Sequence, residues 1–124
     1  AMATRQLLEK NNTITALLCH SPDAMIGSIS GIHQVGRTVG KDVFLTQQVA
    51  LIGFDDVLVS RYVRPRLTTV RYPIVTMATQ AAELALALAE KRPVPEITHV
   101  FNPTLVRRHS VSALTEPGNS SSND

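Results

Sequence analysis

Two short apolar runs constrain this chain more than any other feature: Thr15-Ala16-Leu17-Leu18-Cys19 and Gln48-Val49-Ala50-Leu51-Ile52-Gly53-Phe54. Each is too brief for a buried helix and too apolar for a half-exposed strand, so each reads as a strand covered on both faces of a parallel sheet. Between them, Ser21-Pro22-Asp23 supplies a helix start. The serine oxygen can accept from free backbone N–H groups, and proline at the first helical position gives up no needed donor. Met25, Ile26, Ile29, Ile32 and Val35 follow at three- and four-residue spacing, and Gly36 stands where a left-handed cap belongs. Strand, helix, strand predicts an α/β fold with a parallel sheet flanked by helices, and 124 residues suffice for one core or for one lobe of a larger domain.

The remaining segments fill in around that unit. Residues 3–10 predict a short amphipathic helix closed by Asn11-Asn12, and residues 37–47 a connection. Residues 57–65 predict a loop or short helix, and Leu67-Thr68-Thr69-Val70 a short strand stopped by Tyr72-Pro73. Ile74 to Glu90 is alanine-rich with apolar residues at helical spacing. Thr98 to Val106 reads as a strand interrupted by Pro103, hence at an edge, and residues 109–124 as a flexible tail.

Several function classes fall away on composition. Twelve basic against ten acidic residues give a formal charge of +2, too mild for a chain that grips DNA by itself. The single cysteine, Cys19, excludes an internal disulfide and fits a reducing compartment such as the cytoplasm. No signal sequence or membrane-length apolar run is visible. No phosphate loop, nucleophile elbow or metal-ligand spacing occurs, so neither catalytic residues, a metal nor a cofactor is assigned.

In parallel sheets ligands bind beyond the carboxyl ends of strands. Both apolar runs end in polar residues there, His20-Ser21 and Asp55-Asp56. Asp55 is suited to accept hydrogen bonds from a polyol, and Ser21 offers a second partner besides capping its helix. His20 is the weaker contact, and Asp56 serves better as a turn-capping residue. Ala24, Gly27, Ser28 and Gly31 form a face of small residues that lets another backbone approach closely. Arg61, Arg64, Arg66 and Arg71 read as a solvated loop with one or two ion pairs, in which Tyr62 and Val63 hint at a partner surface.

The order Ala16-Leu17-Leu18-Cys19, Ala24-Met25-Ile26-Gly27, Gly36-Arg37-Thr38-Val39, Val49-Ala50-Leu51-Ile52-Gly53-Phe54-Asp55-Asp56 and Pro65-Arg66-Leu67-Thr68-Thr69-Val70 resembles the LacI/GalR repressors over residues 3–108. Phe44-Leu45-Thr46-Gln47-Gln48-Val49 is similar to their maltose-regulon branch. The resemblance implies a partial periplasmic-binding-protein-like, two-lobed fold, mainly its C-terminal lobe. Residues 1–68 would belong to the second lobe, residues 69–95 to a crossover and first-lobe helix, and residues 96–108 to a return strand. It further implies a sugar or sugar-phosphate effector, a homodimer, and operator DNA bound through an N-terminal helix-turn-helix that this chain lacks. Asp55 matches the sugar-contacting aspartate, Ser21 replaces a frequent asparagine, and Tyr72 is the ring nearest the crossover. Ala24, Gly27, Ser28, Gly31, Tyr62 and Val63 fall on dimer-forming surfaces. A transport-type sugar-binding protein of the same architecture is the alternative, and a small enzyme pairing Asp55 with His20 is a third reading.

Overall fold

The computed structural model describes residues 1–40, 47–94 and 96–111. In chain order its elements are α1 (Met2–Lys10), β1 (Ala16–Cys19), α2 (Pro22–Gln34), β2 (Thr38–Val39), β3 (Gln48–Phe54), α3 (Val59–Tyr62), β4 (Thr68–Arg71), α4 (Ile74–Ala89) and β5 (Thr104–Val106).

Local signals set the bounds of α2. Ser21 Oγ accepts from the Ala24 N–H at 3.2 Å, with Pro22 opening the first turn. At the other end Gly36 adopts φ 72°, and the Arg37 N–H turns back to the Ile32 carbonyl at 3.1 Å. Only a residue without a Cβ takes that left-handed conformation at little cost, which is why the helix stops there.

β3 is the spine of the sheet. β1 runs parallel along one edge, from Ala16 opposite Ala50 to Cys19 opposite Gly53. Alternate amides of a strand point to opposite edges. The Gly40 N–H reaches the Val49 carbonyl, the Leu51 N–H reaches the Ser110 carbonyl at 2.9 Å, and the Asp55 N–H reaches the Val70 carbonyl at 3.0 Å. Thus β2, Ser110 and β4 line the other edge in succession. β5 adds antiparallel to the far side of β4, Thr69 opposite Val106. Val49 and Leu51 face α2, whose Met25 and Ile32 are fully buried with Leu67.

Five expectations change. Leu18 is 68% exposed, so β1 is covered on one face only; a strand's alternation leaves its outer residues bare where no helix lies over them. The expected strand over Thr98–Val106 contracts to Thr104–Val106, because Pro103 has no N–H to give a ladder. β2 falls inside the predicted connection. Asn11 is extended rather than left-handed, and its Oδ1 accepts from the Thr13 N–H at 3.0 Å. Ser110, placed in the expected tail, is fully buried: its Oγ donates to the Leu51 carbonyl and accepts from the Thr68 N–H at 2.8 Å. Residues 112–124 lie outside the described ones.

The small-residue face of α2 is filled by α1 of the same chain. A Cβ on Gly31 would lie 2.6 Å from the Ala1 carbonyl oxygen and 2.7 Å from Thr4 Cβ. Ser28 Oγ sits 3.1 Å from Thr4 Oγ1 and 3.3 Å from Cys19 Sγ. Gly27, Ser28 and Gly31 are therefore taken up in close packing within the chain, and Ala24 lies partly buried against the core. This corrects the dimer role that the resemblance implies for these four. α4, by contrast, buries none of its residues.

Candidate functional site

The carboxyl end of β3 opens into a cleft of about 540 Å³. Asp55, Asp56, Val57, Arg61 and Arg71 wall it on the sheet side, and residues 72–76 wall it from the start of α4. Asp55 holds φ 66°, a left-handed conformation uncommon outside glycine but tolerated by aspartate. Such backbone is kept where the surroundings fix it, often beside ligands. Tyr72, which shares the cleft lining with Asp55, stacks on Phe54 with ring centroids 6.1 Å apart and planes at 24°.

Asp56 has a different environment. Its side chain is 1% exposed. Oδ1 accepts from Thr69 Oγ1 at 2.9 Å and from Arg108 Nη2, while Oδ2 accepts from Arg71 Nε at 2.9 Å and Arg61 Nη2 at 3.3 Å. Burial by itself pushes this carboxyl up, but the hydrogen bonds from Arg71, Arg108 and Thr69 and the charge of Arg108 outweigh it and hold the group well below the usual carboxylate range. Asp56 is thus a saturated acceptor, whereas the described contacts of Asp55 leave its carboxylate on the cleft wall.

Of the residues singled out from sequence, the structure brings Asp55 and Tyr72 together at this cleft. It does not bring Ser21 or His20 to the cleft wall: Ser21 is engaged at the N-terminus of α2, and His20 is exposed at the end of the neighbouring strand. Arg61 and Arg71 form the ion pairs read for the arginine cluster, and Arg64 donates to the carbonyls of Tyr62 and Val63. Arg108 is the residue that sequence reasoning missed. No local pattern could have marked it, since it meets Asp56 from 52 positions away.

A second, apolar hollow lies on the outer face of α2. Ile26, Ile29, Ser30, His33 and Gln34 border it together with Val59 and Val63 of the α3 segment. Tyr62 stands beside it 71% exposed. Of the two residues expected at a partner surface, Val63 borders the hollow and Tyr62 is its exposed chain neighbour. Among the described residues no three metal-ligating side chains gather, and no helix is long and apolar enough to cross a membrane.

A family model described as a periplasmic binding protein-like domain matches residues 1–111. The HTH-type transcriptional regulator GalR of Salmonella typhimurium is 57% identical over 122 residues, covering 98% of this chain and 34% of that protein. GalR of Escherichia coli is 60% identical over 110 residues, covering 89% and 30%. The chain spans about a third of the length of these relatives. Among solved structures, a sugar-binding LacI-family regulator from Escherichia coli complexed with phosphate superimposes with a TM-score of 0.69 at 29% identity, over 89% of this chain and 37% of that one. The lac repressor dimer bound to operator and an anti-inducer shares the fold, with a TM-score of 0.75 at 23% identity over 90% and 37%. Phe44 to Thr46, which carry the likeness to the maltose-regulon branch, lie outside the described residues.

Proposed function

Because this chain belongs to the periplasmic-binding-protein-like domains of the LacI/GalR regulators, we propose that it is the effector-sensing and dimerising portion of a DNA-binding repressor that answers to a sugar or related small molecule. The observation that carries this reading is the pairing, at a strand-end cleft, of the left-handed Asp55 with the Tyr72–Phe54 ring stack. A carboxylate accepts from two sugar hydroxyls at once, and a ring covers the apolar face of a pyranose. The whole regulator would bind operator through a helix-turn-helix outside this chain and work in the cytoplasm, in keeping with its regulator relatives and single cysteine.

The cleft is walled on two sides, and the rest of the regulator would supply the others. Sugar then alters DNA affinity only by binding one arrangement of the lobes better than another. Titration calorimetry of this chain alone with D-galactose or L-arabinose is expected to give no micromolar binding; micromolar affinity would contradict the half-cleft reading. In the full-length protein, gel shift on its own promoter DNA should respond to sugar. Asp55→Asn should keep DNA binding and weaken the sugar response roughly 10- to 100-fold, the loss expected for hydrogen bonds to a charged acceptor. A promoter complex indifferent to every sugar tried would sink the proposal. The regulator relatives and the apolar hollow beside Tyr62 both weigh against the transport alternative, which would be monomeric.

A further inference from the structure

Residues 72–103 leave the sheet through β4 and return through β5, and the helix between them buries nothing. That excursion carries one wall of the cleft, so its position depends on what grips the two strands at their base. The grip is Asp56. Its carboxylate has about four lone-pair sites, and Thr69, Arg71, Arg108 and Arg61 occupy them from β4, from the chain just past β5 and from α3. Arg108, only 11% exposed, also reaches the Leu67 carbonyl at 2.6 Å and Thr69 Oγ1 at 3.2 Å, and its backbone N–H donates to Thr68 Oγ1 at 3.0 Å. The returning strand is thereby tied to the departing one through the same carboxylate.

We propose that Asp56 is a positioning residue, whose clamp on Arg71 and Arg108 sets the separation of the two cleft walls and so tunes effector affinity without touching effector. Asp56 follows Asp55 directly, and Arg71 directly precedes Tyr72. Asp56 and Arg71 both line the sheet side of the cleft, so the Asp56–Arg71 bond ties the end of β3 to the residue from which the α4-side wall departs. With its acceptor sites filled, Asp56 has none left for a ligand hydroxyl. The consequence for affinity rests on the effector reading above; the mechanical claim does not.

The test reads the two separately. In the full chain on a Cys19→Ser background, whose oxygen can keep the contact to Ser28, nitroxide labels at positions 23 on α2 and 79 on α4 report the distance across the cleft by pulsed electron resonance. Without sugar, the parent should give one narrow distribution. Asp56→Asn and Arg71→Gln should each broaden it about twofold or more, while the Leu51 and Asp55 amides stay protected from hydrogen exchange, which shows the sheet intact. Should Asp56→Asn unfold the chain, Arg71→Gln, at a half-exposed position, carries the test. An unchanged width in a folded Arg71→Gln overturns the clamp. In the full-length protein Asp56→Asn should weaken sugar binding roughly tenfold, within the usual range of coupling between sites. Unchanged affinity alongside a broadened distance would overturn the tuning role. A parent that answers to no sugar would fail the effector reading and leave the clamp to be judged on its widths.

Discussion

Asp55 and Asp56 are adjacent on the cleft wall, yet only Asp56 is buried under a ring of donors. Only the first assignment is local: a carboxylate after a buried strand can be read from sequence because the strand itself fixes where its end lies. The second is not, since Thr69, Arg71 and Arg108 meet Asp56 from 13, 15 and 52 positions away. Removing one partner of a buried ion pair costs about 3–5 kcal/mol, and since two of the three arginines are half-exposed, the lower end, about 3 kcal/mol, is expected for Asp56→Ala in urea denaturation. The pH dependence follows from the direction of the shift. The folded carboxyl lies below its unfolded value of 3.8, so the ionised form stabilises the fold fully above about pH 4 and does so progressively less as pH falls toward the folded value. The stability gap between the parent and Asp56→Asn should therefore be flat from pH 5 to 7 and shrink below pH 4; a gap that widens on acidification would contradict this. Ser110→Ala leaves the Leu51 carbonyl and Thr68 N–H without that hydroxyl in the interior, at a cost of about 1–3 kcal/mol by the same denaturation assay.

At the scale of elements, α2 shows what pattern reveals and what it leaves open. Its start at Ser21-Pro22 and its stop at Gly36 are local chemistry and were legible. Its two outward-looking faces were not assigned correctly, because periodicity marks a stripe of small residues without saying which backbone comes to meet it. α1 does so, and the open apolar surface of the helix lies instead on the Ile26–Val63 side. Gly31→Ala would gain helix propensity worth about 1 kcal/mol. Its Cβ would meet the carbonyl of Ala1 and the first side-chain carbon of Thr4, neither of which can swing aside, and overpacking costs about 1–3 kcal/mol. Net destabilisation is expected, with faster hydrogen exchange confined to α1; unchanged protection of α1 would show that the close approach is dispensable. The bare face of β1 and the short β2 were illegible for a similar reason: both depend on what lies alongside, not on the residues within.

For the molecule as a whole, the βαβ core and the strand end that carries Asp55 could be read from two apolar runs and the helix between them, and the edge position of the last strand from one proline. The surfaces could not. α4 carries Ile74, Val75, Leu86 and Leu88 exposed, and the hollow beside Tyr62 is apolar as well. Sedimentation equilibrium should show self-association, and Tyr62→Asp should shift it toward monomer by placing a charge next to Val63 of the hollow; association indifferent to that change would move the interface elsewhere, α4 being the next apolar surface. The buried hydroxyl that bridges β3 and β4 has a further consequence, in time rather than in space. Its bond to Leu51 spans 59 positions. On a ribosome adding ~5–20 residues per second, β3 waits roughly 3–12 s before that part of its edge meets its partner. Through that interval the amide of Leu51 is an open strand edge, able to pair with a neighbouring nascent chain. Ser110 closes that opening, so a residue near the far end of the described chain decides when the central strand stops being a hazard to its own synthesis.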